Sequence, residues 1–189
     1  MKPQRRTGSH LAMAAAIVLA TSNFPAHAQS VPQNPQPPVA LVAAAALEPL
    51  LPAPAGWTRT KSGGDRVVVS DACNYTFADA VFLKDGTKVR VTVADTGRNE
   101  ESLGLLATMI ASLPEGYTGT VPPATTVARL MFNGTPAASR WDAEQNEGEF
   151  VVLVGGRFVV KAESTRVDGL ATLRAMVELV DLKKLGELK

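Results

Sequence analysis

The residues best suited to acid–base chemistry near neutral pH are His10 and His27, the two histidines of this 189-residue chain. Both fall in a stretch that reads as a cleavable leader. Its removal leaves no imidazole. That excludes Ser-His-Asp and Cys-His nucleophilic catalysis from the chain alone. It also excludes His-ligated zinc, copper and haem. The single cysteine, Cys73, permits no intramolecular disulfide and no thiolate zinc knuckle. Beside Asn74 and Tyr75 it reads as a small buried residue at the start of a strand. The sharper alternative is an intermolecular disulfide in an oxidising compartment.

Other reactive patterns are missing. There is no Gly-x-Ser-x-Gly elbow and no Ser-x-x-Lys. Thr60-Lys61-Ser62-Gly63-Gly64-Asp65 lacks the phosphate-loop spacing and reads as a loop between strands. Asp65, Asp71, Asp79 and Asp95 lack the calcium-loop spacing. Glu144, Glu147 and Glu149 share an acidic loop that reads as solvated, with weak calcium binding as its sharper alternative. Asn74-Tyr75-Thr76 and Asn133-Gly134-Thr135 are glycosylation sequons, the second better explained as a turn. No metal or cofactor is expected.

Two sets of side chains remain as binding candidates. Hairpin registers put Arg129 with Arg140 on one face, and Arg157 with Lys161 on one face. Adjacent hairpins would merge them into a patch for a carboxylate, a phosphate or an acidic partner. The competing reading pairs these cations with Asp79, Glu149 or Glu163 in a solvated face. Trp57, Tyr75, Tyr117 and Trp141 are the candidate walls of a ligand pocket.

The leader spans residues 1–28. Lys2, Arg5 and Arg6 precede the apolar run Leu11–Ala20, and Ala26-His27-Ala28 supplies the small-x-small cleavage pattern. The run is shorter than the roughly 20 residues a membrane span needs. Cleavage near Ala28 predicts a soluble periplasmic or secreted protein. It also changes the charge: 19 − 3 = 16 basic residues remain against 18 acidic, a net of −2. That gives no electrostatic footing for nucleic acid or for a membrane surface.

The elements that would position these groups follow. Residues 29–55 carry seven prolines and one charge, Glu48. They read as a linker with a possible short helix over Val39–Leu47, mobile or loosely docked. Residues 56–189 form the domain. Asp85-Gly86, Asn133-Gly134 and Gly155-Gly156 each sit between alternating β-rich segments and predict three hairpins. In the first, Ala78, Ala80 and Phe82 share the core face with Val89, Val91 and Val93, while Asp79, Lys88 and Arg90 meet water. In the second, Leu130, Phe132, Ala137 and Trp141 lie together, opposite Arg129 and Arg140. In the third, Val151, Leu153, Phe158 and Val160 share one face, and Val152, Val154 and Val159 the other with Arg157 and Lys161. Arg66–Ser70 predicts a further strand. Asn99 caps a helix bearing the stripe Leu103, Leu106, Met109, Ile110, Leu113. A second helix starts near Thr165 with Asp168 completing a capping box. Asp181 recaps a last turn.

Strand, hairpin, helix, two hairpins, helix is an α+β order: an antiparallel sheet of hairpins with two main helices packed on it. The Pro54-Ala55-Gly56-Trp57 entrance, the central hairpins and the closing amphipathic helix resemble the Mog1/PsbP-like α+β sandwich family over about residues 50–189. That resemblance implies an accessory or protein-interaction role and transfers no functional residue. Together with the missing catalytic inventory, it favours a non-catalytic interaction module of the cell envelope. The partner is unspecified. The alternative is a periplasmic domain binding a small anionic or apolar molecule. An enzyme built on carboxylates, Lys or Tyr is the third class.

Overall fold

The computed structural model describes residues 39–70, 73–121 and 124–189. The expected leader, the linker up to Pro38 and Asp71 lie outside the described residues. Eight strands form one antiparallel sheet: β1 (Thr58–Val68), β2 (Asn74–Lys84), β3 (Thr87–Asp95), β4 (Thr118–Val121), β5 (Thr125–Phe132), β6 (Thr135–Asp142), β7 (Glu147–Val154) and β8 (Phe158–Ser164). The helices are α1 (Ala44–Leu47), α2 (Gly104–Ser112), α3 (Leu170–Glu178) and α4 (Leu182–Gly186). The α+β class expected from the element order is therefore the one observed.

The sheet order is β1-β2-β3-β8-β7-β6-β5-β4. The chain meanders through β1 to β3 and continues through α2 to the far edge at β4. It then meanders back until β8 pairs with β3. This return places residues from distant parts of the sequence side by side.

One face carries the main core. Ala78, Ala80, Phe82, Val89, Val91 and Val93 point there, as the first hairpin's register predicts. Phe132 and Phe150 meet edge to face at 5.3 Å. Leu173, Met176 and Val177 of α3 and Leu185 of α4 close over them. On the opposite face α2 lies over β6 and β7 only, its Ala107 and Ile110 packing on Ala138, Val151 and Leu153.

Four expectations need correction. First, residues 39–55 are part of the packed body. Leu47 on α1, Leu50 on the 3-10 turn Glu48–Leu50 behind it, and Leu51 just after that turn are buried in the main core. Second, β1 begins at Thr58 and includes the Thr60–Asp65 stretch expected as a loop. Its small residues suit the place: a Cβ at Gly64 would lie 2.7 Å from the Phe77 carbonyl oxygen and 3.1 Å from the Ala44 methyl. Third, the last hairpin has a three-residue turn. Gly155 and Gly156 both take positive φ, Arg157 is the third turn residue, and Val154 pairs with Phe158. The extra residue moves every later side chain to the other face. Phe158 and Val160 therefore join Val152 and Val154 in the main core, and Val159 and Lys161 join Val151 and Leu153.

Fourth, the helix starts differ. Asn99 caps only a 3-10 turn (Glu100–Ser102), its Oδ1 accepting the Glu101 N–H at 3.0 Å, and α2 begins at Gly104. α3 begins at Leu170 behind Gly169, with no Thr165–Asp168 capping box. Asp181 does cap α4, accepting the Lys184 N–H at 2.9 Å.

Candidate functional site

α2 is nine residues long and lies on β6 and β7. Beside it β8, β3 and β2 form the floor of a trough of about 330 Å³. Tyr75, Phe77, Ala94, Val159, Leu103 and Ala107 make its apolar part. Asp79, Arg90, Glu149, Lys161 and Glu163 make its charged part. A second hollow of about 310 Å³ shares Arg90, Glu149 and Glu163 and continues toward Lys88 and Thr165. The first hairpin's polar face, expected to meet water, is therefore half of a groove floor.

The register explains the charge pattern. One row crosses the sheet as Arg90, Glu163, Glu149, Arg140, each residue opposite the next on the adjoining strand. The next row runs Asp79, Thr92, Lys161, Val151, Ala138, Arg129. Two carboxylates directly opposed on neighbouring strands repel unless cations intervene. Here Arg140 Nη2 lies 3.1 Å from Glu149 Oε1, and Lys161 Nζ lies 2.8 Å from Glu163 Oε2. Arg90 spans between Asp79 at 3.5 Å and Glu163 at 4.0 Å. Arg90, Arg140 and Lys161 thus balance Asp79, Glu149 and Glu163, three against three.

This geometry divides the expected cationic patch. Arg129 and Arg140 do share a face. The second row passes under α2 at Val151 and Ala138, so Arg129 stands beyond the helix, its buried Nε without a hydrogen-bond partner. Lys161 and Arg140 hold carboxylates. Arg157 is elsewhere, in the turn at the end of the sheet and 7% exposed. Its Nε and Nη2 donate to Asp95 Oδ1 and Oδ2 at 2.8 and 2.7 Å. Those bonds to a carboxylate push the guanidinium pKa above its ordinary value, against the opposing effect of burial. A two-residue turn at Gly155-Gly156 would put Arg157 on the sheet; the three-residue turn holds it in the loop.

The aromatic candidates also separate. Tyr75 lines the trough. Trp57 and Trp141 pack against the main core on the other face. Tyr117 is 39% exposed, with its ring over Gly119. Cys73 is half-buried in the turn before β2, its Sγ 3.8 Å from the Glu101 carbonyl oxygen.

Among the described residues, no group of three or more His, Cys, Asp and Glu side chains converges as a metal site. In the 142–149 stretch Glu149 is bound to Arg140, and Asp142 Oδ1 accepts the N–H groups of Glu144 and Gln145, each at 3.0 Å. The Gln145 bond is the largest cause holding the Asp142 carboxyl below its ordinary pKa. A lowered folded-state value means stabilisation that is full above the ordinary Asp range and fades as pH falls through the folded value. Asp142→Ala should therefore cost stability at neutral pH, and the difference from the parent should vanish in acid. Urea unfolding across a pH series checks this; a gap that persists in acid contradicts it.

Compared with protein-family models, curated proteins and solved structures, the chain matches none.

Proposed function

We propose that this chain is an exported interaction module that takes an amphipathic segment of a protein partner into the trough beside α2. One observation carries the reading: α2 is too short to cover its face of an eight-stranded sheet, and the uncovered part is half apolar and half charge-alternating. A hollow lined by apolar side chains with a few convergent polar groups is the default candidate for a binding site on a folded domain. The floor's paired charges favour a partner bearing both signs over a strongly acidic or basic one. Its open form suits a peptide segment better than a small molecule, which is usually enclosed on most sides. The leader-like N-terminus supports the cell envelope or the outside as its place of work.

A photo-reactive residue at Thr92, half-buried on the trough floor, tests this in the producing cell. Thr126, exposed on β5 and on the other face, is the control. Adducts with a protein partner at Thr92 and not at Thr126 are expected. Equal adducts at both, or none at Thr92, would sink the proposal. A low-mass adduct at Thr92 would transfer the site to the small-molecule alternative.

A further inference from the structure

The outer edge of β1 is the longest unpaired strand edge among the described residues, eleven residues against four in β4 at the other end. Its open groups can be assigned. Lys84 and Thr87 flank the two-residue turn as a hydrogen-bonded pair, so even-numbered β2 residues bond to β3 and odd-numbered ones to β1. Asp65 and Gly63 stand opposite Phe77 and Asp79. Ser62, Gly64 and Arg66 therefore direct N–H and C=O outward. Consistently, the Arg66 N–H takes Asp65's own carboxylate at 2.7 Å.

We infer that a second copy of this chain docks on that edge, its β1 antiparallel to the first about a two-fold axis at Gly63. The sequence is self-complementary there. Ser62 of one copy faces Gly64 of the other and can exchange both main-chain bonds. Lys61 faces Asp65, and symmetry makes that ion pair twice. Gly63 leaves the axis free of side chains. Asp65 exchanges the neighbouring amide for the ammonium of the second copy. α1 lies over the same edge, seated there by Gly64, and with its N-cap residue Ala43 presents exposed Ala43, Ala45 and Ala46. Those methyl groups are small enough to let two copies approach without a clash above the sheet. The charged side chains that usually blunt an edge strand here specify one register.

Sedimentation equilibrium of the purified protein in reductant, over a concentration series, tests this free of any Cys73 bridge. The parent should form dimers. Lys61→Asp places two carboxylates opposite each other twice and should weaken association by roughly tenfold or more. Asp65→Lys should do the same with ammonium groups. Lys61→Asp/Asp65→Lys restores both pairs with signs exchanged and should restore the dimer. A parent that stays at single-chain mass throughout overturns the inference, as does a dimer indifferent to these exchanges. Neither result bears on the trough, since Lys61 and Asp65 do not line it.

Discussion

Asp95→Ala is expected to destabilise the protein by about 3–5 kcal/mol, because it leaves a buried guanidinium without its anion. Asp95 is 0% exposed and Arg157 7%. Stability of a domain this size is on the order of 5–15 kcal/mol, so the loss is a large share of the whole. The pair also does more than neutralise itself. Asp95 Oδ2 accepts the Val42 N–H at 2.8 Å and Oδ1 accepts the Gly97 N–H at 2.9 Å. Arg157 Nη2 donates to the Ala40 carbonyl at 2.9 Å. The Thr76 hydroxyl takes the Val42 carbonyl at 2.7 Å, and the Val39 N–H reaches the Gly97 carbonyl at 3.1 Å. Gly97 has φ +59, and a Cβ there would lie 2.8 Å from the Val39 carbonyl oxygen. The pair is thus a peg on which the segment 39–42 hangs.

Arg157→Met should cost a similar amount. The double variant Asp95→Ala/Arg157→Met should cost clearly less than the two singles added, with a coupling of about 1.5–3 kcal/mol. It should not return to parental stability, because the main-chain groups of Ala40, Val42 and Gly97 lose their partners in either case. Urea denaturation of the four proteins measures the cycle. Hydrogen exchange gives an independent readout: the Val42 amide should lose protection selectively in Asp95→Ala. Additive costs, or a Val42 amide as protected as before, would mean that the pair neither couples nor pegs the segment.

The same pair explains where the sequence stops being readable. Asp85-Gly86 and Asn133-Gly134 place consecutive positive φ values in two-residue turns, and the registers read from them agree with the structure. Gly155-Gly156 carries the same local signal. Its turn takes a third residue, Arg157, whose partner Asp95 lies 62 residues away. Nothing local distinguishes that turn from the other two. The trough has the same character. Its charged residues were legible as possible partners for one another, but the row Arg90, Glu163, Glu149, Arg140 exists only because β8 returns to pair with β3. β1 is longer than its sequence suggests for a different reason. Ser62, Gly63 and Gly64 have poor strand propensity, and the strand is held by pairing to β2 and by α1 above it.

Leu47→Ala should destabilise by about 2–5 kcal/mol, the range for deleting a fully buried leucine side chain beyond its Cβ. A segment read from composition alone as linker would predict almost no effect. Its prolines and missing charges do resemble a linker. What the composition hides is that Leu47 is 0% exposed, Leu50 5% and Leu51 8%, all within the main core cluster. Leu47 comes from α1, Leu50 from the 3-10 turn behind it and Leu51 from the residue that ends that turn, so one short stretch inserts them together. A helix of four residues is not stable by itself. It forms here because its buried face is in the core and the segment 39–42 before it is pegged by Asp95 and Arg157. Ala45→Ser, on the exposed side of the same turn, should change stability by only about 0.5 kcal/mol or less. The contrast between two neighbouring positions is the measurement. If both substitutions are equally mild in urea unfolding, residues 39–51 are a tether after all, and the domain closes without them.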